Sequence, residues 1–285
     1  MRAWWAGPPV GALLCALPAP APAQQAEGGA HPADQPEEAQ ALAQQLTNPV
    51  ADLVSIPFQF NWENGVGENE DLRFVLNVQP VIPLSLGEDW NLILRWILPF
   101  VAQPPGIAEG SPATFGTGDI VASAFFSPAK GKVIWGVGPV LGLPTGNDPL
   151  LNSGTWSAGP TGVFLVQAGP WTAGALANHL WSFADTGEVH RRDVNQTFLQ
   201  PFVACTTGGA VTFTVQSEST FDWEAEEGQG WTVPVSALVS KLAKLGPFPF
   251  SIQGGAGWYA ATPAGGPEWR LRLNFVVLLP VQHGH

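Results

Sequence analysis

The chain has 285 residues and a formal net charge of −12, with 12% of its residues charged and with 13 Trp, 33 Gly and 28 Pro. This length fits one large domain, and an all-β barrel is among the folds that reach it undivided. The negative charge and the lack of a phosphate loop or basic aromatic groove argue against nucleic acid as a partner. The sequence contains no metal-ligand spacing or cofactor motif, so we expect no metal and no cofactor.

Residues 1–23 have the features of a secretory signal. Arg2 supplies a positive charge, residues 10–17 are apolar, and residues 21–23 form a small-x-small cleavage site. We expect export with cleavage near Ala23, followed by a periplasmic linker and short helix over residues 24–52. Cleavage would leave Cys205 as a single cysteine, so no disulfide framework is expected.

The helical part of this lead-in is predicted from spacing. Leu42, Leu46, Val50 and Leu53 recur about every four residues, although Asn48-Pro49 should interrupt a helix there. Two interpretations stay open. A periplasmic lead-in to a barrel is favoured over a plug inside the pore.

From residue 53 to residue 280 the apolar residues recur every second position. Leu72, Phe74 and Leu76, for example, alternate with Arg73 and Asn77, as in a strand with one apolar and one polar face. The clearest segments are 72–82, 90–100, 211–223 and 269–279. Weaker segments are 53–62, 118–127, 132–143, 155–167, 171–183, 194–206, 231–243 and 249–261. These twelve segments of roughly ten to thirteen residues suit tilted strands that cross a membrane.

The connections between these segments alternate in length. The longer set is mostly acidic and comprises residues 63–70, 102–117, 144–154, 184–193, 224–230 and 262–267. The shorter set includes residues 127–131, 168–170, 207–209 and 244–247. Long outer loops, short periplasmic turns and two periplasmic termini are the pattern of an even-stranded outer-membrane barrel.

Tryptophans cluster at the ends of the segments, where an indole can meet lipid headgroups. We predict an aromatic girdle at two levels. It consists of Trp62, Trp156, Trp181, Trp223, Trp231, Trp258 and Trp269 near the long loops, with Trp90 and Trp171 near the short turns.

The polar face of the segments should line the lumen. The candidate lumen-lining residues are Arg73, Asn77, Gln79, Arg95, Gln196, Gln200, Gln216, Glu218, Asp222, Arg270 and Arg272. Such groups can tune ion selectivity, or they can form ion pairs that fill a small lumen. Arg270 and Arg272 repel each other on one face of one strand unless an acid approaches them. The facing of residues 171–206 stays open, because His179 and Trp181 compete with Leu176 and Leu180 for the lipid side.

Catalysis is not expected. A hydrolase needs a Ser and a His on the same face, whereas His179 and Ser182 are three residues apart on one predicted strand and so point to opposite faces. We therefore predict that the chain is not an enzyme and has no catalytic residues.

Six stretches carry a resemblance to a known family. They are residues 46–57 (LTNPVADLVSIP), 135–145 (WGVGPVLGLPT), 156–160, 174–183 (GALANHLWSF), 193–202 and 218–224. They resemble bacterial outer-membrane transporters of the phenol-degradation MetA-like type, sometimes labelled neuromedin U. The resemblance implies a barrel with a transport role and no assigned binding residues. The chain departs from the usual terminal aromatic, which the outer-membrane assembly machinery reads, because it ends in Pro280–His285.

Together these patterns predict an all-β, transmembrane antiparallel β-barrel of about 12 strands over residues 53–280, with a tail over residues 281–285, in the Gram-negative outer membrane. Its expected partners are membrane lipid, the assembly machinery and an unidentified small solute. The expected function is a channel for passive diffusion of small solutes, hydrophobic or aromatic ones included. A non-conducting structural or adhesion barrel with a plugged lumen and a soluble secreted β-protein are the alternatives.

Overall fold

A computed structural model describes residues 36–107, 110–131, 133–187, 193–245 and 248–279. The expected signal peptide, residues 24–35 of the expected periplasmic linker and the tail lie outside the described residues. The elements are α1 (Pro36–Gln45), β1 (Val54–Val66), β2 (Asp71–Val78), β3 (Val81–Leu86), β4 (Trp90–Gln103), β5 (Thr114–Thr117), β6 (Ile120–Pro128), β7 (Val133–Leu143), β8 (Thr155–Ala168), β9 (Trp171–Asp185), β10 (Asn195–Thr206), β11 (Val211–Ser217), β12 (Ser219–Asp222), β13 (Trp231–Leu245), β14 (Phe248–Ala261) and β15 (Trp269–Leu279).

These strands form one closed antiparallel barrel of twelve spanning strands. β2 and β3, β5 and β6, and β11 and β12 are halves of single spanning strands, because the two members of each pair follow each other along at least one common neighbouring strand. β1 pairs with β15 along residues 54–64, which joins the first strand to the last. Closure leaves no open edge, which a lipid environment requires. The predicted all-β barrel and its strand number are confirmed.

Each interrupted strand breaks at a polar residue or a proline. Pro80 has no backbone N–H to donate to a sheet and follows Gln79 between β2 and β3. The Asp119 carboxylate, between β5 and β6, accepts hydrogen bonds from the N–H groups of Gly146 (3.0 Å) and Ser153 (2.8 Å). Glu218 separates β11 from β12. Interruptions of this kind re-aim side chains, and two of the three lie at the candidate site described below.

Long and short connections lie at opposite ends of the barrel, as the sequence predicted. The first long connection is an exception, since only residues 67–70 remain of the expected loop 63–70. β1 and β2 continue to pair past an irregularity between Glu63 and Val66. Gly65 has a φ of 87°, a left-handed backbone conformation that favours glycine at such an irregularity.

The helix lies against the short-turn mouth of the barrel. Ala43 is buried in a cluster with Ala210, Leu242, Val276 and Leu278. The Gln40 amide donates to Thr206 O (3.3 Å) and the Gln44 amide donates to Gly169 O (3.0 Å). The helix ends at Gln45, before the Asn48-Pro49 pair that was expected to interrupt it. No helix in the described part of the chain is long and apolar enough to span a membrane.

Side chains alternate between the outer and inner faces of the barrel. On β15, Leu271 and Leu273 are 48% and 42% exposed, whereas Arg270 and Arg272 are 5% and 6% exposed. The facing of β9 and β10, which the sequence left open, follows the same rule. Leu176 and Leu180 are buried, whereas Trp181 and Leu199 are exposed on the outer face.

The interior is divided into an apolar side and a polar side. Strands β4 to β10 contribute an apolar cluster to the inside, and Val50 of the lead-in packs into it. Its buried members besides Val50 are Ile93, Phe125, Val163, Leu165, Leu176 and Phe202. The inner face from β11 through β15 to β2 is mostly polar. Polar groups of the lumen therefore face a wall of packed hydrocarbon.

The close approach of β6 and β7 requires a glycine at position 138, which a substitution can test. A Cβ atom at Gly138 would lie 1.8 Å from Ala124 O, whereas a Cβ at Gly162 on β8 would have no neighbour closer than 3.7 Å. We expect Gly138→Val to lose the folded, heat-modifiable band on unheated gels and Gly162→Ala to keep it. A Gly138→Val protein that folds as well as Gly162→Ala would contradict this strand pairing.

Candidate functional site in the lumen

The centre of the polar side is an ion cluster of Arg270, Glu218 and Arg272. Arg270 Nη2 donates to Glu218 Oε2 (2.8 Å), and Arg272 donates through Nη1 to Oε1 (2.9 Å) and through Nη2 to Oε2 (2.6 Å). The arginine side chains are 6% and 4% exposed, and that of Glu218 is 18% exposed. Glu218 is thus the acid that the two adjacent arginines required. A forked arginine–carboxylate pair of this kind is strong and fixes orientation.

Small residues on the intervening strands allow this contact. Glu218 and the two arginines are separated around the barrel by β13 and β14. Gly257 lies beside Arg270, and Gly255 lies beside Arg272. Ser236 on β13 accepts from Arg270 Nη2 (3.0 Å). The guanidinium groups can therefore extend across two strands to reach the carboxylate.

Amide side chains extend the cluster around the lumen. Arg272 Nε donates to Asn61 Oδ1 (2.8 Å), Gln79 donates to Gln59, and Arg95 Nη2 donates to Gln79 Oε1 (2.9 Å). Gln59, Asn61 and Gln79 are buried. The network therefore connects four places on the wall: strand β1, strand β4, strand β15 and the interruption that separates β2 from β3.

A second ion pair lies nearer the long loops. Arg73 Nε donates to Glu63 Oε2 (2.7 Å), and the Tyr259 hydroxyl donates to Glu63 Oε1 (2.6 Å). The Arg270 guanidinium carbon lies 5.9 Å from the centre of the Tyr259 ring. Arg270 is therefore adjacent to both ion clusters.

In the part of the chain that the structure describes, one cavity lies on each side of the ion cluster. A cavity of about 210 Å³, here called the inner cavity, lies between the residues that precede β1 (residues 36–53, the lead-in segment) and the network of charged and amide side chains. Its lining includes Leu46, Leu53, Arg95, Glu218 and Arg272. A second cavity of about 520 Å³ lies at the long-loop end and has acidic walls. It is lined by Gln196, Thr220, Asp222, Glu224, Ala225, Glu226, Gln229, Gly230, Thr232 and Pro263.

The candidate lumen residues lie at three places. Six line the inner cavity, namely Gln79, Arg95, Gln200, Gln216, Glu218 and Arg272. Gln196 and Asp222 line the loop-end cavity. Arg73 and Asn77 lie opposite the buried Glu63 and Gln59 on the inner face of β2, and Arg270 joins the ion cluster.

Sequence reasoning missed Glu63, Ser236 and Tyr259 as members of this network. Glu63 falls in the predicted loop 63–70, although it continues the alternation of Gln59 and Asn61 on β1. That alternation was the signal that could have placed it inside. No sequence signal marks Tyr259 as the partner of Glu63, since they lie 196 residues apart.

The outer face carries the tryptophans and one polar cluster. Of the predicted girdle, Trp62 is half-buried, and the other eight are 41–58% exposed near the strand ends. His179 Nδ1 lies 2.8 Å from Thr197 Oγ1, and His179 Nε2 lies 3.1 Å from Asn195 Oδ1. Trp223 Nε1 donates to the same Thr197 hydroxyl (2.9 Å).

The residues that the structure describes include no cluster of three or more His, Cys, Asp or Glu that could hold a metal ion.

The closed strand pairing, the apolar outer face and the partly polar interior define a β-barrel of the outer-membrane type. The COG4313 outer membrane channel from Pseudomonas putida F1 has a similar structure, with a TM-score of 0.61, 17% identity, and coverage of 80% of this chain and 96% of that one. Outer membrane phospholipase A from Escherichia coli matches with a TM-score of 0.44 and 12% identity over 85% of this chain and 98% of that one. The calcium-bound phospholipase dimer from Salmonella typhi matches with a TM-score of 0.45 and 12% identity over 84% and 96%.

These likenesses concern the fold. No family model matches the chain, and no curated protein matches it, so membership of the MetA-like family is not confirmed. The expectation that the chain is not an enzyme is corrected, because the structural matches include phospholipases, which are enzymes. At TM-scores under 0.5 these matches do not assign an activity to this chain either.

Proposed function

We propose that the chain is an outer-membrane channel that passes small solutes by passive diffusion along the polar side of its lumen. The observation that carries this proposal is the network of charged and amide side chains in the lumen, with one cavity towards the lead-in segment and another towards the long loops. A barrel that needed only a stable interior could fill it with hydrocarbon, as strands β4 to β10 do. Burying arginines without full pairing opposes folding, so their presence favours a role for them in solute passage.

The proposal includes the location and the partners of the chain. Cleavage near Ala23 would leave the lead-in segment on the periplasmic side, with the short turns. The exposed apolar residues and tryptophans would contact lipid, and the assembly machinery would insert the barrel. The sequence resemblance to MetA-like transporters supports small solutes, hydrophobic or aromatic ones included, as cargo.

A non-conducting barrel is the second candidate. The observation that favours it is the contact between the lead-in segment and the interior, since Ala43 and Val50 are both buried there. In this alternative the ion network and the segment together seal the lumen, and the barrel has a structural or adhesive role.

Planar-bilayer recording separates these candidates. We expect the refolded full-length mature chain to give small, discrete conductance steps, because the inner cavity is narrow and bounded by charged groups. Protein unfolded by heat before addition should give none. A full-length barrel that is folded by gel mobility and yet silent in the bilayer would contradict the channel and favour the sealed barrel.

A further inference from the structure

We propose that the inner cavity binds a small organic carboxylate, with Arg95 as the cation that anchors it. This inference deepens the proposed channel function by naming a class of solute, and it rests on that function for the role of the site in transport. The cavity lies between the ion cluster and the lead-in segment, so a solute bound there would be part of the way through the barrel.

The described network has more positive than negative groups. The network holds four arginines, Arg73, Arg95, Arg270 and Arg272, and two carboxylates, Glu63 and Glu218. Glu218 is engaged by Arg270 and Arg272, and Glu63 is engaged by Arg73 and by the Tyr259 hydroxyl. Among the described residues, no carboxylate of the network forms a hydrogen bond or salt bridge with Arg95, and Glu218, which interacts with Arg95 at longer range, is already held by two arginines.

The Arg95 guanidinium uses little of its capacity to donate hydrogen bonds. Within the described residues its one side-chain hydrogen bond goes to a neutral amide oxygen, Gln79 Oε1, at 2.9 Å. A guanidinium has five N–H donors in a planar fork that matches the two oxygens of a carboxylate. Arg95 is half-buried and lines the inner cavity. Partial burial of a cation with a single neutral acceptor opposes folding, and a carboxylate bound in the cavity would offset that cost through charge-assisted hydrogen bonds.

The other residues that line the cavity indicate which chemical groups the bound anion would have besides its carboxylate. Amides from Gln200, Gln216 and Gln253 provide further polar contacts, and Leu46, Leu53, Val81, Phe202 and Val276 provide apolar surface. The volume is about 210 Å³, and an apolar cavity of about 150 Å³ suffices to hold benzene. A carboxylate on a single ring or on a short apolar chain fits both the size and the mixed lining.

The acids at the long-loop end oppose access of an anion but do not line the inner cavity. Glu224 and Glu226 are exposed, so salt screens them over roughly 8 Å at physiological ionic strength. They would slow an incoming carboxylate more than they would weaken its binding at Arg95. Equilibrium binding is therefore a cleaner test of the site than flux.

The test is calorimetric titration of the folded, full-length mature barrel in non-ionic detergent with benzoate and, separately, with benzyl alcohol. We expect saturable benzoate binding that is tighter than binding of the neutral alcohol. Arg95→Gln should weaken benzoate binding by about tenfold or more, because a charge-assisted contact is lost. Ser123→Ala is the matched control, since Ser123 pairs with Arg95 on the next strand but does not line the cavity.

Arg95→Lys keeps the positive charge but lacks the planar, forked set of N–H donors, so its affinity for benzoate should fall between those of the unmodified chain and Arg95→Gln. The same variant tests the proposal if Arg95→Gln does not fold. Equal binding of benzoate and benzyl alcohol, or equal affinity in Arg95→Gln and Ser123→Ala, would overturn the proposal. If the barrel conducts but does not bind benzoate, the proposed carboxylate site is wrong and the channel function is unaffected. If the barrel binds benzoate at Arg95 but never conducts, the channel function is wrong and the binding site is unaffected.

Discussion

Deleting residues 24–50 should enlarge the conductance of the barrel several-fold. The deletion removes the helix, its Gln40 and Gln44 hydrogen bonds and the buried Val50. It thereby opens the wall of the inner cavity that the lead-in segment forms. The described part of the deleted segment, residues 36–50, belongs to no strand, so the twelve-stranded pairing stays complete without it. Single-channel recording of the refolded deletion protein measures the change.

A graded variant controls for loss of the segment as a whole. Gln40→Ala with Gln44→Ala removes two side-chain hydrogen bonds at the mouth and keeps the apolar contacts of Ala43. Each such bond contributes about 1 kcal/mol, so this protein should show brief openings to the large conductance rather than a permanent one. Identical conductance in the full-length chain, the double variant and the deletion would show that the segment does not limit the pore.

The strand pattern of the barrel could be predicted because each spanning strand meets hydrocarbon on one face. Lipid forces the outer positions of β15 to be apolar and leaves Arg270 and Arg272 to the inside. The signal is weak where the interior is apolar too. On β9 and β10, Leu176 and Phe198 pack inside against Phe202, so apolar residues occur on both faces and alternation could not decide the facing.

The candidate site was predictable as a set of inward residues but not as a network. Alternation places Glu218 and Arg272 inside, but the contact between them depends on the closure of the barrel and on small residues at Gly255, Gly257 and Ser236. These contacts link residues 54 positions apart. The position of the lead-in segment is a similar case. Its spacing predicted a helix, but its contact with Ala210 and Leu278 depends on the shape of the mouth.

Glu218→Gln should be the most destabilising single substitution in the lumen. It leaves Arg270 and Arg272 buried, at 5% and 6% exposure, without the carboxylate that both of them contact. Removing one partner of a buried ion pair costs about 3–5 kcal/mol, because the remaining charge is left uncompensated. Urea titration of the barrel in detergent micelles, followed by gel mobility, measures the loss in the free energy of unfolding.

Glu224→Gln is the matched control for this substitution. It makes the same chemical change at an exposed acid of the loop-end cavity, where an effect within about 0.5 kcal/mol is expected. The double variant Glu218→Gln with Arg270→Gln should be less destabilised than the sum of its single variants, since it leaves one uncompensated arginine instead of two. In the bilayer, Glu218→Gln should also shift the reversal potential in a salt gradient towards anion selectivity, because it removes one negative charge from a network that already has more arginines than carboxylates. Equal stability and equal selectivity of Glu218→Gln and Glu224→Gln would mean that the ion cluster neither supports the barrel nor faces the path of the ions.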